Sequence, residues 1–208
     1  MRRLAIVPLL LAAAIVAGCG GGSPHPAKRT PGDAASTGKL QAPAQLNPPR
    51  SAPDFTLRDS LGRAVTFSQY RGKAVLLTFI YDHCPDVCPL IVSHLHTALT
   101  QMGPAKARRV QIVAVSVDPK GDTPKTVNAF LARHLMTGRM EYLIGSRRQL
   151  ARVWRKWGVG VKGTPDSREV GHSAFVYGIT ASGQVKALYP SNFKPSWIVH
   201  DVPILAAT

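Results

Sequence analysis

Seven consecutive residues without a charge, Ala74-Val75-Leu76-Leu77-Thr78-Phe79-Ile80, constrain this chain more than any other feature. A strand with one wet face alternates apolar and polar residues; an unbroken apolar run is the pattern of a strand covered on both faces. Val110-Gln111-Ile112-Val113-Ala114-Val115-Ser116-Val117 reads as another buried strand. Just beyond the first run stands Cys84-Pro85-Asp86-Val87-Cys88-Pro89, followed by Ile91, Leu95, Ala98 and Met102 at helical spacing. Two cysteines with three residues between them, at the end of a buried strand and the mouth of a helix, make either a redox couple or half of a soft-metal site.

The remaining signals predict alternating strands and helices. Residues 53–57 and 65–67 read as two short strands about a turn at 59–62. Pro89 suits the first position of the helix after the cysteines, and Gly103-Pro104 stops that helix. Asp122-Thr123-Pro124 predicts a cap and first turn for a helix to about Leu135, with Asp118 and Asp122 read as ending a strand and capping that helix. A strand over Met140 to Ile144 and a helix from the Ser146 cap to Trp157 follow. A hairpin turns at Ser182-Gly183 between Ala174 to Thr180 and Val185 to Tyr189. A final helix covers 195–206, broken at Pro203. Trp154, Trp157 and Trp197 are expected at the core or its edge. The fold class is α/β, a mixed central sheet flanked by helices with an N-terminal β-hairpin extension, and the dithiol's place after the first long strand makes it thioredoxin-like.

The N-terminal fifty residues read differently. Met1-Arg2-Arg3 and the apolar Leu4 to Val16 form a signal peptide of residues 1–18, too short for a membrane span of about 20 residues. Val16-Ala17-Gly18-Cys19 resembles a bacterial lipobox, which predicts lipidation of Cys19 and a protein outside the cytoplasm in the bacterial cell envelope, held to the membrane by its N-terminal lipid. Residues 19–51, rich in Gly, Pro, Ala, Ser and Thr, are expected to be a tether, with the folded domain spanning 52–208. The formal net charge of +15 is scattered and carries no dense basic run among aromatics, so it is read as a solvated surface, and no nucleic acid is expected. A domain of this size needs no disulfide staple, which leaves Cys84 and Cys88 free for chemistry. A monomer is expected.

Cysteines at a helix start are favoured as thiolates, hence as nucleophiles and equally as metal ligands. Of the seven histidines, His25 lies in the tether, and His94, His96, His134 and His200 read as ordinary packed or solvated side chains. His83 abuts Cys84, but neighbours in an extended segment point to opposite faces. His172, three residues ahead of a strand residue, Phe175, stands where thioredoxin-like chains place a cis proline facing the dithiol. An imidazole there makes a Cys₂His pocket, suited to Cu(I) and able to hold Cu(II) or Zn. The absence of a Pro-x-x-x-Thr-x-x-Cys pattern argues against a peroxiredoxin.

These segments resemble the Sco/SenC family of copper-binding, thioredoxin-like assembly factors for cytochrome c oxidase. The resemblance rests on Ala52-Pro53-Asp54-Phe55, Gly72-Lys73, Cys84-Pro85-Asp86-Val87-Cys88-Pro89, Val115-Ser116-Val117-Asp118-Pro119 with Asp122-Thr123-Pro124, Trp157-Gly158-Val159, and His172. It implies copper ligation by Cys84, Cys88 and His172, and delivery to the binuclear copper site of oxidase subunit II. The alternative is reduction of that subunit's cysteines, with Cys84 attacking and Cys88 resolving. Many members use a transmembrane helix where this chain has Cys19, and Asp82 beside the motif could tune affinity.

Overall fold

All seven residues from Ala74 to Ile80 are buried, because the strand they form is central in its sheet. The computed structural model describes residues 38–162, 171–172 and 174–208. In chain order the elements are β1 (Ala44–Ser51), β2 (Thr56–Asp59), β3 (Ala64–Thr66), a 3₁₀ turn (Phe67–Tyr70), β4 (Ala74–Ile80), α1 (Val87–Ala107), β5 (Val110–Ser116), α2 (Pro124–Arg133), β6 (Met140–Ile144), α3 (Arg147–Trp157), β7 (Val161–Lys162), β8 (Gly171–His172), β9 (Phe175–Ile179), β10 (Gln184–Pro190) and α4 (Pro195–Leu205).

The main sheet has eight strands in the order β1-β10-β9-β4-β5-β6-β2-β3. β4, β5 and β6 run parallel and the remaining pairs antiparallel. β7 and β8 form a separate two-stranded ribbon. The crossovers explain the layers. β4-α1-β5-α2-β6 advances in one direction across the sheet, and right-handed crossovers then set both helices on the same face. That face also receives α4, which packs along α1, and its Leu205 closes on Gly178. The chain then doubles back through α3, whose Trp157 meets Phe55, Phe67, Phe79 and Tyr177 on the opposite face. Trp157 is 1% exposed and Trp154 is also buried, as the sequence predicts. The result is the mixed α/β sandwich expected, with hairpin β2–β3 at one edge.

Of the boundaries that differ from the sequence reading, four bear on the site or the domain's extent. The folded domain starts ahead of Ala52: residues 44–51 pair with β10 as an edge strand, Leu40 and Ala42 are buried, and the Gln41 and Ala42 amides donate to the Asp201 carboxylate at 2.7 and 2.9 Å. The expected tether is therefore shorter than 19–51. Its C-terminal third escaped notice because β1 buries almost nothing and carries two prolines, which an edge strand tolerates. Helix α1 begins at Val87 under an Asp86 N-cap, so Pro89 is its third residue, still within the turn whose N–H groups lack intrahelical partners. Gly103 does interrupt that helix, at φ 70°, and one more turn follows to Ala107. Pro203 lies inside α4 without ending it.

Residues 1–37, including the predicted signal and Cys19, lie outside the described residues. Among the described residues no helix is long and apolar enough to cross a membrane.

Candidate metal centre

The parallel strands β4 and β5 end side by side, and the chain leaving such strand ends forms the usual ligand crevice of an α/β sheet. β4 gives way after Ile80 to a turn closed by the Cys84 amide on the Tyr81 carbonyl at 3.4 Å. Asp86 then caps α1 by accepting from the Val87 amide. Cys84, in the turn ahead of the helix, and Cys88, in its first turn, therefore come together, both free and buried, at 6% and 0% exposure. The Cys88 amide points at the Cys84 sulfur at 3.4 Å.

This arrangement splits the two thiols. Chiefly the Cys88 thiol, donating to the Cys84 sulfur, holds Cys84 down to about 5; amides of Cys88 and Asp86 and the Tyr81 side chain help against the opposing effect of burial. The Cys88 thiol is pushed far up, first by its hydrogen bond to Cys84 and then by burial. Near neutral pH the pair carries one thiolate and one proton. A soft cation binding both sulfurs displaces that proton, which suits Cu(I).

His172 forms part of β8, where its backbone pairs with Val161 of β7, three residues before the start of β9. Its side chain lies outside the described residues. The structure thus brings Cys84 and Cys88 together and places the His172 backbone on a short ribbon between α3 and β9.

The His83 side chain is engaged by neighbouring carboxylates. Its Nδ1 is 2.6 Å from Asp82 and its Nε2 3.4 Å from Asp118, with its ring edge-on to Tyr81. A Cβ on Gly121 would sit 2.6 Å from the His83 ring and 2.3 Å from the Asp118 carboxylate, so a glycine there lets the β5–α2 loop close on the Cys84 turn.

The residue that sequence reasoning misread is Asp122. The cap of α2 is Thr123, which accepts from the Thr126 amide. Asp122 is 5% exposed. One of its oxygens accepts from the Asp82 amide and the other from the Tyr142 hydroxyl, each at 2.9 Å. Burial pushes its carboxyl up to about 7, against the opposing hydrogen bonds of Ser116, the Asp82 amide and Tyr142. Donor atoms of Asp82, His83 and Asp122 lie within 4.8 Å of one another, but each already holds a hydrogen-bond partner, so this group braces the turn.

The SCO1/SenC family profile matches residues 43–206. A bovine protein, the mitochondrial Protein SCO2 homolog, is 33% identical over 137 residues, covering 62% of this chain and 50% of its own length. The chain spans about half the length of the curated relatives it matches. Among solved structures, Bradyrhizobium japonicum ScoI with copper bound is 30% identical at a TM-score of 0.66, covering 74% of this chain and 99% of that one. BsSco, a member of the Sco family of cytochrome c oxidase assembly proteins with an identified disulfide switch, is 25% identical at a TM-score of 0.66, covering 81% and 99%.

Proposed function

The chain belongs to the SCO1/SenC family, and from that premise we propose that it is a copper metallochaperone, holding copper through Cys84, Cys88 and His172 and delivering it to the binuclear copper site of cytochrome c oxidase subunit II. The observation that carries this reading is the buried pair of free cysteines, Cys84 and Cys88, with the Cys88 amide directed at the Cys84 sulfur. Copper is the cargo. Two sulfurs supply a soft, low-coordinate seat, and an imidazole from His172 completes it as Cu(I), with Cu(II) as the other state accommodated. Release proceeds by ligand exchange, a partner thiolate entering as a chain sulfur leaves and regains its proton. The copper-bound Bradyrhizobium relative supports the metal, and the BsSco structure supports the oxidase as destination. A lipid on Cys19 holds the monomer to a bacterial membrane with the domain outside the cytoplasm.

A second reading is favoured by the asymmetry of the thiols. Cys84, the thiolate, attacks a disulfide of the oxidase subunit, forming a mixed disulfide and expelling one partner thiolate. Cys88 then gives up its proton, attacks the Cys84 sulfur and releases the second. The partner gains two electrons and Cys84–Cys88 becomes the disulfide.

The two readings separate in an anaerobic titration of Cu(I) into the reduced protein beside a His172→Ala variant. Stoichiometric binding that collapses in the variant is expected; weak binding indifferent to His172 would leave the dithiol as a reductant.

A further inference from the structure

Asp122 is a carboxylate that copper ligation does not use and helix capping does not require, since Thr123 caps α2. A buried carboxylate is costly where an apolar side chain would fill the same space, so its partners should show why it is kept. They converge on the exit of β4. One Asp122 oxygen takes the Asp82 amide and the other takes the Tyr142 hydroxyl. That hydroxyl also lies 3.2 Å from the Ile80 carbonyl oxygen, so one proton spans two acceptors on either side of the junction. Ile80 is the last residue of β4, and Asp82 begins the turn that delivers Cys84. Tyr142 is 1% exposed and anchored in β6. The Asp122 amide is fixed in turn to the Asp118 carbonyl at 3.0 Å. One side chain thus ties the β5–α2 loop, strand β6 and the entry to the dithiol turn into a single unit.

We propose that Asp122 is a positioning residue for the Cys84–Cys88 site, holding the Asp82 amide, and with it the turn to Cys84, in one conformation before any metal arrives. The inference rests on the copper-site reading above. The Cys84 sulfur is placed by the backbone of residues 81–84, which is outside β4 and not yet in α1. Without a fixed point in that turn, metal binding would have to order it, and the ordering cost would appear as lost affinity. Groups that orient ligands in this way are typically worth about 10- to 100-fold in metal affinity.

The test compares wild type, Asp122→Asn, Asp122→Leu and Tyr142→Phe by Cu(I) competition against a chromophoric chelator, amide exchange of the metal-free reduced protein, and thermal unfolding. Asp122→Leu removes both acceptors while keeping the branching at Cγ; it should lose about 10- to 100-fold in Cu(I) affinity. Its Asp82 amide should exchange at least about tenfold faster while Leu76 and Leu77 in β4 keep wild-type protection. Asp122→Asn keeps a carbonyl for the Asp82 amide and should recover affinity to within a few-fold of wild type. A folded Asp122→Leu that binds as wild type, an unchanged Asp82 exchange rate, or an Asn variant as weak as the Leu variant would each overturn the proposal. Should Asp122→Leu not fold, Tyr142→Phe carries the test with the loss of a single hydroxyl: a several-fold loss of affinity is expected, and wild-type affinity overturns it. Failure of the wild-type protein to bind Cu(I) would sink the copper reading, and the metal-free exchange readout would still decide the brace.

Discussion

Cys84 should react as a thiolate well below the pH at which ordinary thiols do, and Cys88 should be the reason. With a pKa of about 5, Cys84 is roughly 99% ionised at pH 7, whereas a thiol at about 8.5 is only about 3% ionised. The pH profile of alkylation by iodoacetamide, followed by mass mapping of the labelled cysteine, reads this directly. Access limits the absolute rate of a sulfur this buried, but the midpoint of the profile reports the titration. For wild type the rate should climb through about pH 5 and be flat by pH 7. Cys88→Ala removes the largest single stabiliser of the thiolate, the neighbouring thiol, and leaves the amides of residues 86 and 88 and the Tyr81 side chain. Its midpoint should rise by at least about one unit, toward the unperturbed value. A wild-type midpoint above 8, or a Cys88→Ala midpoint still near 5, would refute the argument that one proton shared between the sulfurs sets the nucleophile.

Two shorter tests address the parts of the chain around that site. Asp201 is fully buried and accepts from the amides of Gln41 and Ala42 and from the Tyr189 hydroxyl. Asp201→Ala strands several buried donors, so urea unfolding should show a loss of about 3 kcal/mol, with amide exchange in β1 accelerating ahead of the rest of the sheet. In a bacterial expression host, Cys19→Ser should abolish a diacylglyceryl mass addition and move the protein from the membrane fraction to the soluble fraction; a membrane-bound variant would count against the lipid.

Much of the architecture was legible because its signals are local. The apolar run of β4 announces cover on two faces, and the Ser146 cap with Gln149 three residues on, then Gly158 in a left-handed conformation, bounds α3 as the sequence predicts. Cys84 and Cys88 stand four positions apart where a buried strand gives way to a helix, so their closeness could be read without a structure. What was missed depends on distant partners or on backbone alone. Asp122 reaches an amide forty positions away and a hydroxyl twenty positions away, and no local pattern distinguishes it from a helix cap. β1 is held by its ladder to β10 and by Asp201, and its side chains are nearly all exposed, so it left no apolar period to detect.

If Cys19 carries the proposed lipid, that edge strand would set the radius within which the dithiol operates. With a lipid on Cys19, the chain becomes committed to the domain by Leu40, so roughly twenty residues are left to span the gap, and even fully drawn out they reach about 70 Å. On the proposed reading, an exchange of copper or electrons would be confined to sites that themselves stand close to the same bilayer. Cutting β1 loose would lengthen such a leash by roughly half without touching a sulfur, and would widen the set of proteins the dithiol can meet.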